Sequence, residues 1–182
     1  MRRKKPDISR SSLLVIDMQN YFLRIARNIL PNVIKLIEFF RKAGRPIVFT
    51  QHGHKDPDLD GGLLLEWWGD LIMVNTWEYE LIEGINPLPG EKVINKVRYS
   101  AFYRTDLEDY LKKANVKDVI ITGVMTNLCC ETTARDAFMR DFYVFFVEDA
   151  TSTSHEDMHR ATILNISYGF GTVLKTEDII SL

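Results

Sequence analysis

Three side chains with complementary chemistry each follow a short apolar run that predicts a buried strand. Asp17 ends the first run, Lys96 follows a run near the middle of the chain, and Cys129 comes a few residues after a later one. Because the carboxyl ends of parallel strands lie along one edge of a sheet, we expect the three to face a common crevice. Such a set can carry out acyl transfer. The acid takes the thiol proton, the thiolate attacks a carbonyl carbon, and the lysine orients the acid and the substrate.

Cys129 carries most of this prediction, because it lies where a predicted strand turns into a helix. A thiol at a helix N-terminus faces unpaired N–H groups and the positive end of the helix dipole, so we expect its pKa to be lowered. The same amides can hold a developing oxyanion. A buried structural cysteine is the alternative interpretation. Cys130 is turned about 100° around the helix and is expected to pack in the core.

Asp17 and Lys96 also have simpler interpretations. An acid at a strand end often caps a turn or the next helix. A lysine can lie at the surface with its stem along apolar groups. If Lys96 is buried, however, it needs a carboxylate partner, because an unpaired buried charge is costly.

The elements that would position these residues alternate between short apolar runs and amphipathic stretches, which is typical of parallel strands joined by crossover helices. Strands that are apolar throughout are buried on both faces. We therefore predict an α/β fold, a three-layer, doubly wound, Rossmann-like parallel sheet of about six strands, in a single domain over residues 1–182. The predicted strands are residues 13–16, 46–50, 93–94, 119–122, 144–147 and 171–174, and the predicted helices are residues 29–41, 106–114, 127–140 and 155–168.

Residues 52–91 contain no convincing element. A loop of this length in a compact domain is usually functional or mobile, and it follows the second strand at the carboxyl edge. We predict that it forms a lid or a wall of the crevice, with packing of its tryptophans into the core as the alternative. The first strand ends in Asp17-Met18-Gln19-Asn20 rather than in a glycine-rich loop, which argues against a nucleotide cofactor.

Composition excludes several classes of function. The 23 Lys and Arg residues against 25 Asp and Glu leave a net charge of −2, so no bulk charge favours nucleic acid or an anionic membrane. No run approaches the ~20 apolar residues of a membrane span. The basic start, residues 1–5, precedes an apolar run too short for a signal peptide. Both cysteines are adjacent and cannot build a disulfide framework, so a reducing, cytoplasmic setting is expected.

Three stretches in order along the chain resemble the isochorismatase-like hydrolase superfamily, which includes nicotinamidases, carbamoylsarcosine-type amidohydrolases and isochorismatase itself. They are residues 14–20 (LVIDMQN), 96–102 (KVRYSAF) and 123–139 (GVMTNLCCETTARDAFM). The resemblance extends over nearly the whole chain. It is specific for the family and says less about the substrate.

The resemblance implies a catalytic triad of Asp17, Lys96 and Cys129. It also implies a non-proline cis peptide between Val124 and Met125, and an oxyanion hole formed by the backbone N–H groups of Met125 and Cys129. Other positions match the substrate pocket of the family, namely Tyr21, His52, Trp68 and Tyr99. The habits of the family further suggest a homodimer or a larger homo-oligomer.

The presence of Cys129 favours the amidohydrolase branch, because isochorismatases proper usually lack this cysteine. We therefore expect a cysteine hydrolase that cleaves the C–N bond of a small amide through a thioester, with nicotinamide as the first substrate to try. Two alternatives stay open. Residues 98–102 and 132–140 also resemble isochorismatases, which predicts vinyl-ether hydrolysis, and a chain that kept the fold could be a non-catalytic small-molecule binder.

The resemblance requires no cofactor, although some nicotinamidases bind a metal after the second strand. His52 and His54 occur there, and a Zn²⁺ ion near them is a further interpretation. Residues that alternate in an extended segment point to opposite sides, which is poor geometry for chelation. A third ligand such as Glu66 has no support from the pattern. We favour a polar pocket wall in which one histidine contacts the substrate.

Overall fold

The computed structural model describes residues 5–182, so all of the basic start except Lys5 lies outside the described residues. Its centre is a sheet of six parallel strands in the order β3-β2-β1-β4-β5-β6, which confirms the predicted α/β class. The strand order reverses between β1 and β4, where folds of this kind bind ligands. The strands are β1 (Ser11–Ile16), β2 (Ile47–His52), β3 (Lys92–Lys96), β4 (Asp118–Val124), β5 (Tyr143–Ser152) and β6 (Thr172–Leu174).

Helices cover both faces of this sheet. They are α1 (Leu23–Ala26), α2 (Leu30–Lys42), α3 (Leu63–Trp68), α4 (Leu107–Lys113), α5 (Glu131–Phe138), α6 (Glu156–Asn165) and α7 (Thr176–Ile180). None of the helices within residues 5–182 is long and apolar enough to cross a membrane. Wider π-helical turns precede α5 (Thr126–Cys130) and follow α6 (Ile166–Phe170), so the two predicted long helices are each divided.

The core consists of two apolar layers, one on each face of the sheet. Side chains alternate along β1, so Leu13 and Val15 pack against α2 and α7 on one face. Leu14 and Ile16 pack against α4 and α5 on the other. Burial on both faces explains why the strands read as continuous apolar runs.

Three short helices (α1, α3 and α7) and one long strand differ from the sequence prediction. The helices α3 and α7 span six and five residues, too short for a 3.6-residue period to stand out. Tertiary packing stabilises both helices, since Leu64 in α3 and Ile179 in α7 are buried. β5 continues beyond the predicted residues 144–147 through the polar pair Glu148 and Asp149, and its register against β4 shifts there.

Candidate active site

Asp17, Lys96 and Cys129 meet at the carboxyl edge of the sheet. Lys96 Nζ lies 2.7 Å from Asp17 Oδ2 and 3.5 Å from Cys129 Sγ. Its third contact is the carbonyl oxygen of Arg98 at 3.0 Å, so each of the three N–H donors of the ammonium has a partner. Lys96 is 2% exposed, and the side chains of Asp17 and Lys96 are fully buried, which rules out a surface lysine.

The strands that carry Asp17 and Lys96 are not neighbours in the sheet, so one side chain must extend further than the other. Asp17 follows the last residue of β1, whereas Lys96 ends β3, which β2 separates from β1. Two strand spacings are about 10 Å, a gap that the long lysine side chain and the Asp17 carboxylate span together through their 2.7 Å contact. Burial lowers the pKa of Lys96, but the nearby Asp17 and Cys129 outweigh burial, so the net shift is upward and the ammonium stays charged.

The position of Asp17 depends on two neighbours. Its backbone has φ +47°, in the left-handed region that aspartate tolerates better than most residues. Thr50 in β2 donates its hydroxyl to Asp17 Oδ1 at 2.5 Å and accepts the Asp17 N–H at 3.0 Å. Gly123 in β4 has φ +114°, and a Cβ there would lie 2.0 Å from the carbonyl oxygen of Ile16. Only glycine therefore allows β4 to approach the turn that carries Asp17.

Cys129 lies in the turn Thr126–Cys130, which follows the cis peptide bond between Val124 and Met125. The thiol lies 3.5 Å from Lys96 Nζ and close enough to Asp17 for that carboxylate to influence its pKa. Burial raises the pKa of Cys129 to about 12, with Lys96 opposing and Asp17 adding to the shift. The expected lowering of this pKa is therefore wrong, because loss of water around the sulfur outweighs the neighbouring cation. Cys130 is fully buried in the core, as expected.

A cavity of about 380 Å³ opens above Cys129. Every residue that the resemblance assigns to the pocket or to the oxyanion hole contributes to its wall, namely Tyr21, His52, Trp68, Tyr99, Met125 and Cys129. The rest of the wall is mostly apolar, from Phe22, Leu64, Leu71, Ile72, Leu128 and Met158, with polar contributions from Asp70, Asn127, Ser154 and His155. Residues 64–72 thus form a wall of the cavity, the role predicted for this segment.

A hydrogen bond fixes two of these side chains. The Trp68 indole N–H donates to the Tyr99 hydroxyl oxygen at 2.9 Å. Burial, and next the charge of Asp70, raise the pKa of Tyr21. Burial, and next the charge of Lys96, lower the pKa of His52 to about 3, so its imidazole is neutral at neutral pH. The cavity therefore presents an aromatic wall and a neutral histidine to its contents.

The two histidines do not point to opposite sides, so that expectation is wrong. The rings of His52 and His54 lie edge to face, with centroids 5.2 Å apart. The strand ends at His52, and His54 instead pairs with Met73, so the alternation of an extended strand does not continue.

A metal does not fit this part of the wall. His54 Nδ1 contacts Asp60 Oδ1 at 3.0 Å, and the second oxygen of Asp60 accepts the Lys55 N–H at 2.9 Å. Across residues 5–182 no group of three or more His, Cys, Asp or Glu side chains is arranged to hold a metal ion. Two imidazoles without a third ligand are a poor zinc site.

Comparison with known proteins decides the family. A sequence profile described as the Isochorismatase domain matches residues 11–178. The chain belongs to the isochorismatase family. This family member is 45% identical to Nicotinamidase 3 of Arabidopsis thaliana, over 98% of the chain and 91% of that relative. It is 32% identical to enterobactin synthase component B of Escherichia coli, over 94% of the chain but 62% of that longer relative.

Solved structures agree with this assignment. The fold of this isochorismatase-family protein matches a cysteine hydrolase from Pseudomonas syringae with a TM-score of 0.93 at 27% identity, over 99% of this chain and 95% of the other. It matches N-carbamoylsarcosine amidase from Thermoplasma acidophilum with a TM-score of 0.83 at 29% identity, over 93% and 98%. The protein is therefore a nicotinamidase-like cysteine hydrolase.

Sequence reasoning missed three residues of this isochorismatase-family site. Thr50 is the polar end of an otherwise apolar run, a signal that could have indicated its contact with Asp17. Gln19 lies inside the first matching stretch. Its buried amide donates to the carbonyl of His52 and accepts the His52 N–H, which holds that residue at the wall. Asp70 lies in a segment without periodicity, and nothing in the pattern indicates that it reaches the cavity.

Proposed function

We propose that the protein hydrolyses the carboxamide of nicotinamide, or of a closely similar aromatic amide, through a thioester on Cys129. The observation that carries this proposal is the contact of Lys96 Nζ with both Asp17 and Cys129 at the floor of a cavity. The 45% identity to a nicotinamidase supports the substrate class. The aromatic wall suits a flat ring, which can stack on or pack edge to face with Tyr and Trp side chains.

The first step is the transfer of the thiol proton to Asp17. With its pKa raised to about 12, the sulfur stays protonated until an amide lies beside it. Asp17 takes the proton as sulfur bonds to the carbonyl carbon, and the Lys96 ammonium at 3.5 Å stabilises the negative charge on sulfur. The backbone N–H groups of Met125 and Cys129 hold the oxyanion that forms.

The C–N bond then breaks. The leaving nitrogen takes the proton from Asp17 and departs as ammonia, which leaves a thioester on Cys129 and restores the carboxylate. Water attacks the thioester and gives a proton to Asp17, and the C–S bond breaks as sulfur recovers that proton. The acid is released, and the three side chains return to their starting states. Every proton in this sequence of steps therefore passes through Asp17.

Vinyl-ether hydrolysis, the alternative reaction, proceeds by acid catalysis without a covalent intermediate on the enzyme. A buried thiol beside both Asp17 and Lys96 would have no part in it, so we do not favour it. It predicts pyruvate formation from isochorismate that survives Cys129→Ala and is lost in an Asp17 variant.

The test of the proposed reaction is ammonia release from nicotinamide by wild type and by Cys129→Ala. We expect the variant to lose turnover while its circular dichroism spectrum is unchanged. Cys130→Ala is the matched control, since it removes the adjacent buried thiol, and it should remain active. Full turnover by Cys129→Ala would refute the thioester.

We also propose that the protein acts as a homodimer or a larger homo-oligomer in the cytoplasm. A second groove, of about 480 Å³, lies near the amino ends of β5 and β6, and its lining includes Phe138, Tyr143 and the 93% exposed Tyr168. An aromatic surface of this kind suits self-association. Sedimentation as a monomer at micromolar concentration would contradict the assembly.

The proposed cytoplasmic location rests on the cysteines. Two free, buried cysteines suit a reducing compartment.

A further inference from the structure

The cavity above Cys129 has an uneven distribution of charge. Among its lining residues that the structure describes, Asp70 is the one carboxylate, and no arginine or lysine is present. Lys96 lies beneath the floor, where its three donors already have partners. Arg98 does not line the cavity, and its guanidinium donates to the carbonyl oxygens of Asp60 and Val97.

Asp70 lies at the outer part of this wall. It is exposed and lies close enough to the 48% exposed Tyr21 for its charge, after burial, to raise the pKa of that phenol. Trp68, two residues before Asp70, is 54% exposed and is held by its bond to Tyr99. A ligand that enters therefore passes aromatic faces and a carboxylate, a combination that attracts cations and repels anions.

We propose that Asp70 is a specificity-determining residue that restricts this site to uncharged or cationic aromatic amides and disfavours amides that carry a carboxylate. The inference rests on the proposed amide hydrolysis and names the charge class of its substrate. An anionic substrate would leave water for a cavity that offers it no free cation, and it would approach the Asp70 carboxylate. A pyridinium amide would meet the aromatic rings and the same carboxylate favourably.

The same charge acts on the product. Hydrolysis converts a neutral amide into a carboxylate, which is formed in a cavity without a free counter-ion. Repulsion by Asp70 weakens the binding of this acid relative to the amide, so the product leaves readily. Removal of the Asp70 charge should therefore strengthen product inhibition by the acid without an equal change in the binding of the amide.

The experiment compares three amides of similar shape and different charge. They are nicotinamide, the cationic 1-methylnicotinamide, and the anionic monoamide of pyridine-3,5-dicarboxylic acid. In Asp70→Asn, which keeps the shape and removes the charge, we expect kcat/KM to rise about three- to tenfold for the anion and to fall by a similar factor for the cation. Nicotinamide is the neutral reference for both comparisons, and the inhibition constant of nicotinate should fall.

Two further variants separate charge from shape. Asp70→Glu keeps the carboxylate and should keep the wild-type order of the three amides. Glu83→Gln removes an exposed carboxylate that does not line the cavity, changes the net charge of the chain equally, and should leave all three values unchanged. A common shift of all three amides in Asp70→Asn, or unchanged ratios, would overturn the role of Asp70.

Equilibrium binding distinguishes this inference from the proposed reaction. Calorimetry on Cys129→Ala, with and without Asp70→Asn, measures the affinities for nicotinate and 1-methylnicotinamide without turnover. Opposite shifts of the two affinities support the role of Asp70 even if nicotinamide proves not to be hydrolysed. Absence of binding by both probes overturns the inference, whatever the activity.

Discussion

The buried ion pair between Lys96 and Asp17 makes a sharp thermodynamic prediction. Lys96→Met keeps most of the aliphatic stem but removes the ammonium that lies 2.7 Å from Asp17 Oδ2. Thr50 still bonds Oδ1, but Oδ2 is left buried without its partner. Breaking a buried pair from one side costs about 3–5 kcal/mol. That is a large part of the roughly 5–15 kcal/mol by which a domain is stable.

The double variant Asp17→Asn/Lys96→Met removes both charges together. Since no uncompensated ion remains, we expect its loss of stability to be smaller than the sum of the two single losses, with a coupling of about 1–3 kcal/mol. The free energy of unfolding is measured by urea denaturation at pH 7. All three variants should lack amidase activity, which separates the stability effect from the catalytic one.

Lys92→Met is the matched control on the same strand. Lys92 Nζ contacts Asp106 Oδ2 at 2.6 Å, but the two side chains are 26% and 64% exposed. An exposed pair contributes about 0–1 kcal/mol, so this variant should stay close to wild type. If Lys96→Met is as stable as Lys92→Met, or if the Asp17 and Lys96 losses are additive, the pair is not the buried electrostatic unit described above.

Two other predictions concern the neighbours of this pair. Thr50→Val removes the hydroxyl that orients Asp17, so we expect kcat for nicotinamide to fall about 10- to 100-fold with little change in KM. Thr50→Ser should retain activity, and an unchanged kcat in Thr50→Val would contradict the positioning role. The pKa of Cys129 is about 12 in the folded protein against an ordinary 9.0, so the unfolded chain loses this proton first as the pH rises. The stabilisation that results is fully present below pH 9 and is lost as the pH rises towards 12. Between pH 9.5 and 10.5 the free energy of unfolding should therefore fall less steeply with pH in Cys129→Ala than in the wild type, by ~1 kcal/mol per pH unit. Parallel plots of unfolding free energy against pH for the variant and the wild type would disprove the raised pKa.

Strands and long helices were predictable because their signals are local. A run such as residues 13–16 is apolar at every position, since both faces of β1 are covered. The helix α2 shows a regular apolar face over thirteen residues, and its predicted bounds differ from the observed ones by one residue at each end. Short elements such as α3 and α7 were not predictable, because five or six residues carry too little periodicity and tertiary packing stabilises them.

Residue types at strand ends also indicated the candidate site, but not its electrostatics. Spacing placed Asp17, Lys96 and Cys129 at the carboxyl ends of their strands. The pKa of Cys129 depends on how much water surrounds the sulfur, which is a property of the packed fold. The mutual orientation of His52 and His54 depends on where β2 ends and on the bridge from His54 to Met73.

The sequence by itself determined the order of the strands, the α/β class, and the kinds of chemical group present at the crevice. Apolar patterning and residue identity act over a few neighbouring positions, so they can be inferred from the chain alone. The tertiary structure decided that Thr50 holds Asp17, that Asp70 reaches the cavity, and that the thiol is protonated at rest. These properties arise from contacts between residues far apart in the chain and from the exclusion of water around them, which exist only once the sheet is assembled.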